Sequence, residues 1–359
     1  MIIWRGESGL EGCERLEKIK FPELISVEEN GFRCCFSLQE ADLPKVEKIG
    51  KNAFSECESL KKIKVGTHLE EIGEKAFYNC GKLSQFYFPS SLKKISEAAF
   101  ELTSLEKIEL PSELKRVEKY AFAYTLLSNV RLNKNTYIEE GAFKGCKNLT
   151  IVNWKMIDHI SEEAFLGCNF EKIELNVNIT KIYSKAFEYN KNLKNVLLCG
   201  KNIYVENEAF YKCSSLKFIS MKQIKSIGER VFTYTSVEKA YFSNISYIGN
   251  YAFSFAEDLQ SVFIKCKEKR FFAGENIFEN CLALNEIWID HDGEDEIAES
   301  AFPHGIPIYV VQGSSIEKNL SGKGYTICPV SVDEMSRKYL TLDLLDQYEI
   351  AEQKKEFDY

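Results

Sequence analysis

Twelve cysteines and four histidines are the side chains of this 359-residue sequence best suited to hold a metal or act as nucleophiles. No two cysteines have the C-x-x-C spacing of a zinc ribbon or a thioredoxin-like redox pair. His68, His159, His291 and His304 are scattered, and none has a second histidine four residues away, as a helical zinc site needs. They read as ordinary surface or packed residues, and no Cys-His or Ser-His-Asp set is placed together. Gly322-Lys323-Gly324 lacks the flanking glycine and the Ser/Thr of a phosphate loop, so it reads as a turn. The run at 290–296 (DHDGEDE) is the densest acidic stretch. Hard cations want several oxygens from one flexible loop. Its glycine falls at the fourth rather than the sixth place, which favours a solvated loop over weak calcium binding. No catalytic residue, metal ligand or cofactor is therefore assigned. Four Asn-x-Ser/Thr matches, at Asn148, Asn178, Asn244 and Asn319, are expected by chance in a sequence this rich in Asn.

The cysteines make sense once their phase is seen. Eight of them (Cys13, Cys35, Cys57, Cys80, Cys146, Cys168, Cys213, Cys281) stand three residues after a recurring Phe or its equivalent Leu10. Thr103, Thr125, Asn190, Thr235, Ala256 and Gly305 take the same place elsewhere. The site asks for small size, and a buried free Cys behaves as a small hydrophobe. Stacked strands bring equivalent Cα atoms to about 4.8 Å, but parallel Cβ vectors do not close a disulfide comfortably. A reduced state is expected. Cys34, Cys199, Cys266 and Cys328 lie off this phase.

The recurring Phe defines the element that positions everything else. Ala-Phe recurs at Phe54, Phe77, Phe100, Phe122, Phe143, Phe165, Phe187, Phe210, Phe253 and Phe302, with Phe232 and Phe278 in the gaps and Phe32 and Leu10 extending the phase. Steps run from 21 to 25 residues, giving about 13 repeats of about 22 residues. Five or six residues after each Phe comes an apolar residue such as Leu60 or Leu105. An apolar-x-apolar pair follows, as in Ile63-Lys64-Val65 and Ile108-Glu109-Leu110. That alternation is a short strand with one buried face. A second apolar pair follows, such as Leu69/Ile72 or Ile224/Ile227, often before Gly as at Gly73, Gly228 and Gly249. One such unit cannot bury its own apolar face, so the units must stack into a solenoid.

The repeat resembles the BspA-like class of bacterial leucine-rich repeats, with a local match at residues 105–122, LEKIELPSELKRVEKYAF. The resemblance runs from residue 10 to about 330. It departs from the consensus at Val231-Phe232, at Ile277-Phe278 and in the two longest repeats. It implies a leucine-rich-repeat superhelix of short parallel strands and turns, and protein binding or adhesion rather than catalysis. It also implies a secreted or cell-surface location, whereas the start MIIWRGESGL has no signal-peptide core and by itself reads as cytoplasmic.

The expected organisation is a solenoid over 1–330, including a closing segment at 303–330, followed by an amphipathic tail at 331–359 forming a short helix. Ser331 and Glu334 have capping-box spacing, and Val332, Met335, Tyr339 and Leu342 recur at three- and four-residue steps. The helix would cover the last repeat, or offer its apolar face to a partner. With 54 acidic and 46 basic residues the net charge is -8, mixed along the chain, which disfavours nucleic acid. No run of 18 apolar residues suggests membrane insertion.

Function must then reside in a surface. On the first strands the outward residues change character along the array, from Lys18/Lys20, Lys62/Lys64 and Lys107/Glu109 to Phe218/Ser220, Lys239/Tyr241, Ser261/Phe263 and Glu286/Trp288. Tyr241, Phe263 and Trp288 should form one file, and contiguous exposed aromatics mark interaction sites. The two longest repeats add a basic loop (Lys265, Lys267, Lys269, Arg270) and the acidic run. Phe218, Tyr241, Phe263, Trp288 and Arg270 are the binding candidates, for a protein partner such as a host or matrix protein, or alternatively for a glycan stacked on the aromatics. The competing expectation is that the aromatics lie beneath the loops or the C-terminal helix as a small local core.

Overall fold

The structure, a computed structural model, describes residues 9–134 and 136–357. Residues 1–8 of the expected solenoid and 358–359 of the expected tail lie outside the described residues. The chain divides into two compact units, Met1–Asn169 and Phe170–Tyr359.

Each unit is a coil of parallel strands, and the repeat length sets the register. In the first unit Lys18–Lys20, Glu40–Leu43 and Lys62–Val65 pair side by side, with Ile19 opposite Ala41 and Ala41 opposite Ile63. Ser26–Val27, Lys48–Ile49, Glu71–Ile72 and Lys94–Ile95 form a second parallel stack. Because alternate residues face opposite sides of a strand, the apolar ones turn inward and the lysines outward. Outward neighbours pair across the coils, as Lys18 does with Glu40 at 3.2 Å. Coils approach closely where the second strand ends: a Cβ on Gly73 would lie 2.7 Å from the carbonyl carbon of Gly50.

The Phe-bearing turns make a third ladder. Asn52 and Glu56 flank Phe54 with φ of 52° and 63°, and Lys75 and Asn79 flank Phe77 in the same way. This alternation aims every second N–H along the stack, so Asn52, Phe54 and Glu56 donate to the carbonyls of Glu74, Ala76 and Tyr78 at 2.8–2.9 Å. A left-handed non-Gly residue is strained by roughly 1–2 kcal/mol, and these inter-coil bonds offset the strain. Inside, Phe32, Phe54, Phe77, Phe100, Phe122, Phe143 and Phe165 stack with centroids 5.1–5.8 Å apart. In the second unit Phe187, Phe210, Phe232, Phe253 and Phe278 do the same at 5.1–5.8 Å, and Phe302 extends the file.

The cysteine position is more specific than small size. Cys57, Cys80, Cys146 and Cys213 each donate to the carbonyl of the repeat Phe one coil earlier, at 3.1 Å. Thr103, Thr125, Thr235 and Asn190 donate to the Phe three residues before them. The site therefore takes a small donor in most coils. Burial pushes the Cys146 thiol up to about 11, against hydrogen bonds at Thr125.

In the second unit the first-strand stack includes Lys239–Phe242, Ser261–Lys265, Glu286–Asp290, Pro307–Val311 and Thr326–Val330, in that spatial order. Between the last two lies α1 (Ser315–Leu320), absent from the sequence reading. Ser314 accepts from the N–H of Glu317 to start it, and Ile316 and Leu320 fix its inner face. The C-terminal helix α2 (Val332–Phe357) is not short: it runs 26 residues. Ser331 caps it, with Oγ accepting from the N–H of Glu334 at 3.2 Å.

Candidate functional site

The parallel register carries the aromatic file as expected: Tyr241 lies opposite Phe263, Phe263 opposite Trp288, and Trp288 opposite Tyr309. The file is not exposed, however. Tyr241, Phe263 and Trp288 retain 8%, 1% and 7% of their accessible surface. Helix α2 lies over them, and Met335, Tyr339 and Leu342 pack with Val330 into the same apolar cluster. The expectation of solvent-facing aromatics is corrected for a physical reason: the three- and four-residue steps of α2 build an apolar stripe that finds its buried counterpart on these strands. Val332, placed on that stripe by spacing, points to solvent instead.

Polar contacts fix the helix's orientation. Tyr241 Oη donates to Asp343 at 3.2 Å, and Lys222 reaches the same carboxylate. Burial opposes ionisation of Asp343, but Lys222, with hydrogen bonds from Tyr241 and Gln347, holds it below the usual carboxylate range. Lys338 pairs with Glu286 at 2.8 Å and lies 4.9 Å from the Trp288 ring centre. Lys265 pairs with Asp290 at 2.6 Å and stands over Tyr339 at 4.4 Å. Burial, with the neighbouring Tyr339 and Asp343, pushes the Tyr241 phenol far above its usual range.

Along its C-terminal half the helix and the strands bound a cleft of about 350 Å³. Half-buried Phe218 lines it, as do Ile219, Ala240, Leu345, Asp346 and Tyr348. Leu340, Leu344 and Tyr348, at four-residue steps along α2, are 59%, 67% and 65% exposed, a stripe that sequence reading missed and that reaches the cleft at Tyr348. It was legible only in part, since the tail is apolar on more than one side.

Arg270 is not brought to this site. It lies on Arg270–Ala273 in the second-strand stack, exposed and paired through Nε with Glu294 at 2.8 Å. The acidic run is not a free loop either. Its ends are strand residues, and the side chains of His291 and Asp295 are buried with Nε2 and Oδ1 3.3 Å apart. Burial raises the Asp295 carboxyl above its usual range. Among the described residues no group of three or more His, Cys, Asp or Glu is placed to hold a metal ion. No helix among them is long and apolar enough to cross a membrane.

Comparison with known proteins agrees with this architecture. No curated protein matches the chain. Among solved structures, the pneumococcal vaccine antigen PcpA is similar at 19% identity and a TM-score of 0.56, covering 91% of each chain. A leucine-rich repeat protein from Bacteroides ovatus is similar at 17% identity and a TM-score of 0.44, covering 89% of this chain and 75% of its own. A leucine rich cell surface protein from Faecalibacterium prausnitzii is similar at 18% identity and a TM-score of 0.45, covering 88% and 92%. The BspA type leucine rich repeat region matches in six copies over residues 6–101, 115–237 and 189–309. With the family motif spread over most of its length, the chain belongs to the BspA-type leucine-rich repeat family.

Proposed function

We propose that this chain is a non-enzymatic protein-binding scaffold that meets its partner around α2 and the strand face beneath it, in keeping with an adhesion role. The observation that carries this reading is the exposed stripe of Leu340, Leu344 and Tyr348. A helix that only covers the repeats needs one apolar side, and α2 has a second. Large apolar side chains grouped on a surface favour an interaction site. The stripe adjoins the cleft at Tyr348, so a partner can use both.

The test is binding of the purified chain to a panel of extracellular matrix proteins beside a glycan array. It is repeated with Leu340, Leu344 and Tyr348 replaced by Gln. A protein ligand that loses about tenfold or more in affinity, while the melting temperature holds, supports the reading. Glycan binding alone, or a dimer that depends on the stripe in sedimentation, overturns it.

A glycan reading has one observation of its own. Tyr189, Tyr211, Tyr234 and Phe255 follow one another on the turn face with centroids 6.0, 5.9 and 4.7 Å apart, and Lys212 stands 5.1–5.6 Å from three of the rings. Partly exposed rings at that spacing can stack on sugars, and the same array checks it after Tyr234→Ala.

A further inference from the structure

The inward side of α2 changes chemistry halfway along. Met335, Tyr339 and Leu342 continue at three- and four-residue steps into Asp346, Glu349 and Gln353. The first three seal the aromatic file, whereas the last three line the cleft. Asp346 is only 8% exposed, and its Oδ2 has no hydrogen-bond partner. Gln353 Oε1, two helical turns along the same wall, is also buried without a partner. A buried polar atom without a partner is destabilising, so a packing helix has no use for these two residues here.

The remaining charges of the cleft are satisfied. Lys217 pairs with Glu238 at 3.7 Å, Lys239 with Glu349 at 3.2 Å, Lys338 with Glu286 at 2.8 Å and Glu352 with Lys355 at 2.6 Å. Lys222, whose charge also acts on Asp346, is engaged by Asp343. Asp346 is thus the lining carboxylate without an ion-pair partner among the described residues, above a floor of Phe218, Ile219 and Ala240.

We infer that this cleft is a socket for an arginine side chain presented by the protein partner, with Asp346 receiving the guanidinium. The inference rests on the protein-binding reading above. Apolar Ile219 and Leu345 suit the aliphatic stem, and the rings of Phe218 and Tyr348 offer faces on which a planar guanidinium stacks. A single carboxylate is too few ligands for a hard cation, and a neutral guest leaves Asp346 uncompensated. At about 350 Å³ the cleft lies at the small end of ligand sites, roughly 300–1,000 Å³.

Burial holds Asp346 up at about 6, with Lys222 pulling it down and Glu349 and Asp343 pushing it up. Lys217, Glu238 and Lys239 line the same cleft, each already paired. An arginine guest prefers the carboxylate, so its affinity falls by up to about tenfold per unit as the pH drops below about 6.

Calorimetric titration of the full chain with N-acetyl-arginine amide and its neutral isostere N-acetyl-citrulline amide tests the assignment. The arginine compound is expected to bind at least about tenfold more tightly than citrulline. Asp346→Asn should equalise the two and remove the pH dependence, with the melting temperature held or raised because the change relieves a buried charge. Equal binding of both compounds to the native chain, no binding of either, or undiminished arginine binding by D346N overturns the socket. Any of these beside retained matrix-protein binding removes the anchor and leaves the scaffold reading standing. Arginine binding with no protein ligand in the panel removes the scaffold reading instead.

Discussion

The ring of Trp288 lies flat against that of Tyr309, with centroids 4.1 Å apart and planes within 12°. Lys338 of α2 stands over the Trp288 ring on the helix side. The aromatic file therefore runs one strand beyond the three residues visible in the repeat phase, and the helix rests on it as on a track.

Substituting Trp288 and Phe263 by Ser should lower the unfolding temperature strongly, since losing a buried aromatic side chain costs about 3–5 kcal/mol. The change should also release α2, read as faster hydrogen exchange and proteolysis within 332–357. Unchanged unfolding of the double variant would mean that the helix does not lie on the file in solution.

Phe143→Ala leaves a hole in the middle of a continuous ring stack, between Phe122 at 5.8 Å and Phe165 at 5.5 Å. The expected loss is about 3–5 kcal/mol, and it should spread because each coil is held by its neighbours. Denaturant unfolding of the first unit would show a lower midpoint.

Asp346 and Asp343 predict opposite responses to acid. A carboxyl raised to about 6 from an ordinary 3.8 destabilises the docked helix at neutral pH, and that penalty is relieved as the pH falls from above 6 toward 4. Asp343, held below its usual range, stabilises the helix at neutral pH and loses that contribution only as the pH falls through its depressed value. Exchange protection of α2 should therefore rise between pH 7 and 5 and fall in stronger acid, and D346N should abolish the rise.

The ladder thiols should be inert. Burial raises Cys146 to about 11 and Cys281 to about 12. Iodoacetamide at mildly alkaline pH should leave both unmodified in the native chain and label both in denaturant, read by mass spectrometry. Cys146→Ala should cost only about 1 kcal/mol, because the Phe122 carbonyl loses its thiol donor but keeps the Thr125 hydroxyl.

Periodicity in the sequence determined the coil. A Phe every 21 to 25 residues, small donors three places later and alternating apolar pairs leave parallel stacking as the way to bury every unit. The ring stacks, the register of Ile19 with Ala41 and the capping of α2 by Ser331 follow from that local chemistry. The tertiary structure decided what local chemistry cannot: which of two apolar surfaces covers the other. Tyr241, Phe263 and Trp288 are outward on their strands by a strict period of two, yet outward means solvent only where nothing lies above. The segment lying above them begins 44 residues after Trp288, at Val332. Its helical period gives two apolar stripes, so spacing alone does not say that Met335, Tyr339 and Leu342 go in while Leu340, Leu344 and Tyr348 stay out. The choice is made by complementarity across the chain, where the aromatic file, Asp343 with Lys222 and Glu286 with Lys338 close together on one side of the helix.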